Sequence, residues 1–197
     1  AILPRDTNLK EAYAGGSAEG CLFVSRLALF FGTYMKSYLS LFYLTDGSIA
    51  QEPIVLEALM FLIRISEVED EDGEIFKTCL EFWVDFTKDL YDSDIAWKHR
   101  SAPTLANGGA ASGNGAVAGI NHPRLAVFDD ILHRLRVIMI DRMAKPEEVI
   151  IVEDDNGEIV REQTKDTEVL AQYKTMRECI VYLANLNYDN TEARSEE

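Results

Sequence analysis

Residues 74–90 read EIFKTCLEFWVDFTKDL. Phe76, Cys79, Trp83, Phe86 and Leu90 follow one another at steps of three and four, and Lys77, Glu81 and Lys88 fall off that stripe. An α-helix turns once in about 3.6 residues, so this spacing gathers the apolar side chains on one face, whereas a strand would divide them between two. The spacing predicts an amphipathic helix over about 74–91. One face of it has to be buried against neighbours.

The same step recurs on both sides. A helix is expected over about 18–43 from Val24, Leu27, Phe31, Tyr34, Tyr38 and Leu41, with Leu22, Leu29 and Phe30 adding burial on further sides. Another is expected over 53–66, opened by Pro53 at a first-turn position and carrying Val55, Leu59 and Leu62. Pro123 opens a fourth over 123–144, with Phe128, Ile131, Leu135 and Ile138 in step, and Pro146 disfavours a helical residue before it. Asp166 is an N-cap for a fifth over 167–186, marked by Leu170, Tyr173, Met176, Ile180 and Leu183. Repeated one-faced helices that need one another predict an all-α solenoid, one segment over 1–197.

Composition narrows the function classes. The 197 residues are 47% hydrophobic, enough for a packed core, and 34 acidic against 19 basic residues give a net charge of −15. Such a surface repels phosphate backbones and anionic lipid, so nucleic acid and bare membrane are poor partners and a basic protein surface is a good one. Arg26, Lys36 and Asp46 break the most apolar region into pieces too short to span a bilayer. Cys21, Cys79 and Cys179 lie far apart within apolar stretches, which predicts reduced, buried thiols in an intracellular protein rather than a zinc site or a disulfide. The chain begins at Ala1 without a secretory pattern, as expected of a piece of a longer array.

Two interhelical stretches differ sharply. Residues 101–121 are Gly-, Ala-, Ser- and Asn-rich without apolar period, so 98–122 is expected to be a flexible insertion. Residues 146–167 are instead structured by pattern: Val149-Ile150-Ile151-Val152, then Glu153-Asp154-Asp155, then Asn156-Gly157, then Glu158-Ile159-Val160-Arg161. Two β-branched runs around Asn-Gly predict a β-hairpin closed by a type I′ turn. A lone hairpin builds no sheet of its own, so it is expected to be an inserted arm. Residues 147–168 carry nine acidic and two basic residues, net −7, nearly half of the chain's charge.

Catalytic and cofactor motifs fail on inspection. With Gly157 at the sixth position of a calcium loop, Val152 and Gln163 stand where carboxylates are required. Gly113-Asn114-Gly115-Ala116-Val117-Ala118 imitates a dinucleotide fingerprint without a preceding strand. His99, His122 and His133 lie apart, with His133 on the polar side of its helix, and no nucleophile has a recognisable base. Neither metal, cofactor nor enzyme activity is expected. The acidic run around Glu67, Glu69, Asp70, Glu71, Asp72 and Glu74 reads as a solvated turn.

From Arg142 the chain continues Arg142-Met143-Ala144-Lys145-Pro146-Glu147-Glu148-Val149, runs through the acidic turn to Arg161-Glu162, and then reads Lys165-Asp166-Thr167. This stretch, with Tyr173-Lys174, Met176-Arg177-Glu178 and Val181-Tyr182-Leu183 beyond it, closely resembles the nuclear export receptors of the karyopherin-β (importin-β) superfamily. Asn8 to Tyr13, Ser66 to Glu69 and Glu74 to Glu81 extend the resemblance upstream, and it lapses over 92–122.

The resemblance implies HEAT repeats, antiparallel helix pairs of which this chain is a central slice, with the hairpin inserted between the two helices of one repeat. It implies the family's acidic loop over 149–166. As partners it implies the Ran GTPase in its GTP form, export cargo with leucine-rich signals, Ran-binding proteins and nucleoporins, and shuttling between nucleus and cytoplasm. Contact with Ran would fall to Glu153, Asp154, Asp155, Asn156, Gly157, Glu158, Arg161, Glu162, Lys165 and Asp166. Docking of the loop on the repeats, closing the cargo groove, would fall to Ile151, Val152, Ile159 and Val160. A static HEAT scaffold for a basic partner, without GTPase control, is the alternative.

The Gly/Ala tract has no periodic apolar residues to offset about 1–2 kcal/mol per residue of backbone ordering. Deleting residues 102–119 is therefore expected to leave the thermal midpoint within a few degrees of the parent. A steep fall in that midpoint, read by circular dichroism, shows instead that the tract is packed.

Overall fold

A computed structural model describes residues 7–15, 17–69, 73–101, 121–143, 150–153, 159–162 and 167–187. These form α1 (Leu9–Ala14), α2 (Ala18–Tyr38), a short 3-10 turn (Leu39–Phe42), α3 (Glu52–Ser66), α4 (Glu74–Ser101), α5 (Pro123–Val127), α6 (Asp129–Arg142), β1 (Ile150–Glu153), β2 (Ile159–Glu162) and α7 (Thr167–Leu186). Helix α4 lies between α2 and α7 in one layer, and α3 and α6 pack side by side behind it. The pairs α3/α4 and α6/α7 are thus stacked as a mostly helical repeat array. Among the described residues no helix is long and apolar enough to cross a membrane.

Local chemistry starts the helices. Asn8 and Ser17 are N-caps whose side-chain oxygens accept from the amides of Glu11 and Gly20. Pro53 sits in the first turn of α3, preceded by Gln51 in the left-handed region at φ 54°. Gly73, at φ +67°, turns the chain into α4 through a conformation that a side chain disfavours.

The stripe on α4 is the centre of the core. Phe76, Cys79, Trp83, Phe86 and Leu90 are all buried, and Trp83 is wholly so. The Trp83 indole N–H donates to Ser66 Oγ at 2.9 Å, and the Ser66 hydroxyl in turn donates to the Leu62 carbonyl at 2.8 Å. One α4 side chain is thereby joined to the last turn of α3. Phe86 meets the Trp83 ring at 5.9 Å and the Phe128 ring at 5.2 Å, both edge to face, carrying the aromatic packing toward the next pair.

Several boundaries differ from expectation. The first long helix buries Val24, Ala28, Gly32 and Met35 instead of the 24-27-31-34-38-41 stripe, of which Val24 alone is buried. Phe30 is 59% exposed and Leu41 74%, and Leu22, Phe23, Leu29, Tyr34 and Tyr38 are exposed with them. Small residues mark the inward face because α2 crosses α4 closely: a Cβ on Gly32 would lie 3.8 Å from the Thr78 carbonyl. Bulk, which guided the sequence expectation, lies on the other side.

The chain also leaves the α geometry at Tyr38, where Leu39–Phe42 tighten into the 3-10 turn, so the helix does not reach 43. Helix α4 continues to Ser101, ten residues past the expected stop and into the stretch assigned to the insertion; a Lys98–Asp94 ion pair lies in this added length. The expected 123–144 helix is two, broken at Phe128, whose ring is buried while its backbone leaves helical geometry. Cys79 and Cys179 are buried as expected, and Cys21 is only partly so. Residues 102–120, Asp166 and the Asn156-Gly157 dipeptide lie outside the described residues.

Replacing Trp83 by Phe removes the indole N–H, leaves Ser66 without that donor and opens a small void. Together these are expected to cost about 2–3 kcal/mol. Urea titration followed by far-ultraviolet circular dichroism measures this.

Candidate protein-interaction site

The acidic excursion leaves α6 at its last residue and re-enters at Thr167. Its described backbone pairs β1 antiparallel with β2, Ile150 opposite Glu162, Ile151 opposite Arg161, Val152 opposite Val160 and Glu153 opposite Ile159. The type I′ turn expected on Asn156-Gly157 lies outside the described residues. Asp154, Asp155, Asn156, Gly157, Glu158, Lys165 and Asp166 lie outside the described residues. Ile151, Val152, Glu153, Ile159, Val160, Arg161 and Glu162 are brought together by the strand pairing.

Where the excursion departs, Arg142 turns back toward the repeats. Its Nη2 donates to the Val68 carbonyl at 2.8 Å, and its guanidinium carbon stands 4.7 Å from the centre of the Phe76 ring. Lys10, Glu67, Asp130, His133, Asp141 and Arg142 help line an open groove of about 740 Å³ beside this contact. The α3–α4 turn, read from sequence as merely solvated, thus receives a side chain from far along the chain.

The neighbouring layer carries a mixed-charge face. Glu81, Asp85, Asp89 and Asp92 step along α4. Lys36 of α2 meets Asp85 at 2.6 Å, and Lys88 meets Asp92 at 3.0 Å. The hydrogen bond and charge of Asp85 raise the Lys36 ammonium above its ordinary value. Burial holds the Asp89 carboxyl above the usual carboxylate range, with Arg124 opposing. These exposed pairs order the face and add little stability.

A second junction forms where the chain enters α5. The His122 backbone N–H donates to the buried Asp94 carboxylate at 2.9 Å, and His122 Nδ1 accepts the Arg124 amide at 3.2 Å. The His122 ring packs on Trp97 at 5.1 Å, and the Arg124 guanidinium lies 3.8 Å over the Tyr43 ring. Gly47 permits this approach: at φ +88° it faces Pro123, whose Cγ would lie 3.1 Å from an added Cβ. His122, expected inside the flexible insertion, is therefore a packed capping residue. The sequence signal was the Asn-His-Pro step before a helix.

Among the described residues no group of three or more His, Cys, Asp and Glu is placed to hold a metal ion. Burial pushes the Cys179 thiol up to about 12, against a contact with the Thr87 hydroxyl at 3.6 Å, which keeps it protonated and unreactive. His133 lies on α6 beside the groove, and His99 is on an exposed turn of α4, far in sequence from one another.

Residues 53–91 match the family model described as the chromosome region maintenance or exportin repeat, and residues 124–191 match CRM1/exportin repeat 2. The chain belongs to the CRM1/exportin repeat family. It is 40% identical over 97% of its length to Protein EXPORTIN 1A of Arabidopsis thaliana, and 38% identical over 97% to Exportin-1 of Drosophila melanogaster. It is 36% identical over 98% to Exportin-1 of Schizosaccharomyces pombe. The chain spans 18%, 16% and 18% of the length of these three relatives, respectively. The first repeat match covers α3 and most of α4, and the second runs from α5 through α7 with the acidic excursion inside it.

The His122 cap predicts a pH dependence. Burial, followed by Arg124, depresses the imidazole below its ordinary 6.5, against the pull of Asp94 and Asp89. The unfolded chain then binds the proton more tightly, so the His122 contribution is complete above about pH 6.5 and is lost as pH falls through the depressed value. The unfolding free energy should decline as pH falls from about 6.5 toward the depressed value, and His122→Asn, which keeps a capping oxygen at every pH, should flatten this part of the profile. Equal slopes for parent and variant in chemical denaturation remove His122 as the cause.

Proposed function

We propose that this chain is the central part of a nuclear export receptor, a transport protein and not an enzyme. In this reading it carries cargo bearing leucine-rich export signals through nuclear pores and shuttles between nucleus and cytoplasm. The excursion over residues 149–166 is its RanGTP clamp. The observation that carries the reading is its placement: the 24 residues between α6 and α7 carry net charge −5 within a chain 36–40% identical to exportins.

The physical logic is that of an arm with two dockings. Carboxylates at Glu153, Asp154, Asp155 and Glu158 suit the basic surface of a GTPase, and Ile151, Val152, Ile159 and Val160 suit an apolar rest on the repeats. Each docking excludes the other. If Ran favours one and the closed cargo groove the other, the two ligands are linked through the arm without chemistry. Links of this kind typically amount to about 1–3 kcal/mol, or about 5–150-fold in affinity.

In the full-length protein, reversing the charge of Glu153, Asp154, Asp155 and Glu158 should weaken RanGTP binding, with the deficit shrinking as salt rises because screening acts beyond about 8–10 Å. Deleting residues 149–166 should raise cargo affinity without Ran and reduce the factor by which RanGTP improves it. Cargo titrations with and without RanGTP, for intact and deleted protein, give that factor directly. An unchanged factor refutes the clamp, and equal binding of GTP- and GDP-loaded Ran favours a static scaffold.

A further inference from the structure

We infer that Arg142 is a positioning residue that ties the root of the acidic excursion to the α3–α4 turn, so that the excursion and the α3/α4 pair respond to one another as a unit. This rests on the clamp reading for its functional consequence, and on geometry alone for the tie itself.

The guanidinium does two things at once. It donates to the Val68 carbonyl, which lies just beyond the end of α3, and it covers the Phe76 ring in the first turn of α4. A cation at the C-terminal end of a helix satisfies an outward carbonyl and complements the helix dipole. The planar ion also stacks on an aromatic face. Val68 and Phe76 are both 1% exposed, so the receiving surface is a fixed part of the core. The contact joins residues 74 apart in sequence.

The returning helix passes near the same turn. Gln172, in the second turn of α7, has its Nε2 4.0 Å from where a Cβ on Gly73 would stand. Departure at Arg142 and return at Gln172 thus bracket the turn between α3 and α4. An arm tied at its root to a neighbouring helix pair transmits a change of docking to that pair. One held only by its own helices would swing without moving them.

Charge alone does not account for the arrangement. Lys at this position keeps the charge and loses the flat face and the fork of donors, so it should serve only in part. That graded response separates a positioning role from bulk electrostatics.

The test uses the full-length protein with Arg142→Gln and Arg142→Lys. Hydrogen exchange of the Ile150–Glu153 and Ile159–Glu162 amides should accelerate roughly tenfold in Arg142→Gln and less in Arg142→Lys, as expected for loss of one charged hydrogen bond. Exchange in α2 should be unchanged. Unaltered strand exchange in both variants overturns the tie, and Arg142→Lys supplies that readout even if Arg142→Gln folds poorly. RanGTP affinity is then measured with and without residues 149–166. Arg142→Gln should weaken it several-fold in the intact protein and leave it unchanged in the deleted one, by the logic of a mutant cycle. Equal losses in both backgrounds overturn the positioning role. If deletion alone leaves RanGTP binding untouched while Arg142→Gln still accelerates strand exchange, the tie stands and the clamp reading falls.

Discussion

Trp83 holds this structure at its middle. The residue is fully buried on the one helix that meets α2, α3 and α7, and its only polar atom is satisfied by Ser66 on the neighbouring helix. An indole N–H left bare in such a place would cost on the order of 1–3 kcal/mol. The hydrogen bond therefore fixes the depth and rotation at which α3 and α4 meet. With that setting fixed, Phe76 stands under Arg142 and Phe86 stands against Phe128. These two contacts with the next pair inherit their geometry from it.

The sequence made α4 legible because Phe76, Cys79, Trp83, Phe86 and Leu90 keep one helical phase for four turns while Lys77, Glu81 and Lys88 fall off it. It misled at α2, where large apolar residues surround the helix and the buried side is marked by Ala28 and Gly32. Size signals burial only when one face has it. The break at Phe128 was hidden for a related reason: its side chain stays in phase with Ile131 and Leu135, and only its backbone departs. Repeat membership was legible in the residues around Arg142, yet the role of Arg142 was not, since no spacing rule relates residues 142 and 68.

The candidate interaction site divides in the same way. Its charge and its strands were readable from β-branched runs and acid counts. The turn that closes them is expected at Asn156-Gly157, outside the described residues. His122 shows the error: a residue at the edge of a low-complexity tract belongs to the packed structure, held by Asp94 from a helix that runs further than its apolar stripe.

The extra length of α4 has a mechanical side. At about 1.5 Å per residue its 28 residues form a rod of about 42 Å. The Arg142 contact grips the rod at one end, on Phe76, and the His122 junction grips it near the other, at Asp94 and Trp97. With both ends held, a tilt of about 5° about the first turn would have to carry the far junction by about 2–3 Å. Asp94 and Trp97 therefore cannot shift by that much without the Phe76 end turning with them, and the two junctions are coupled through one stiff element.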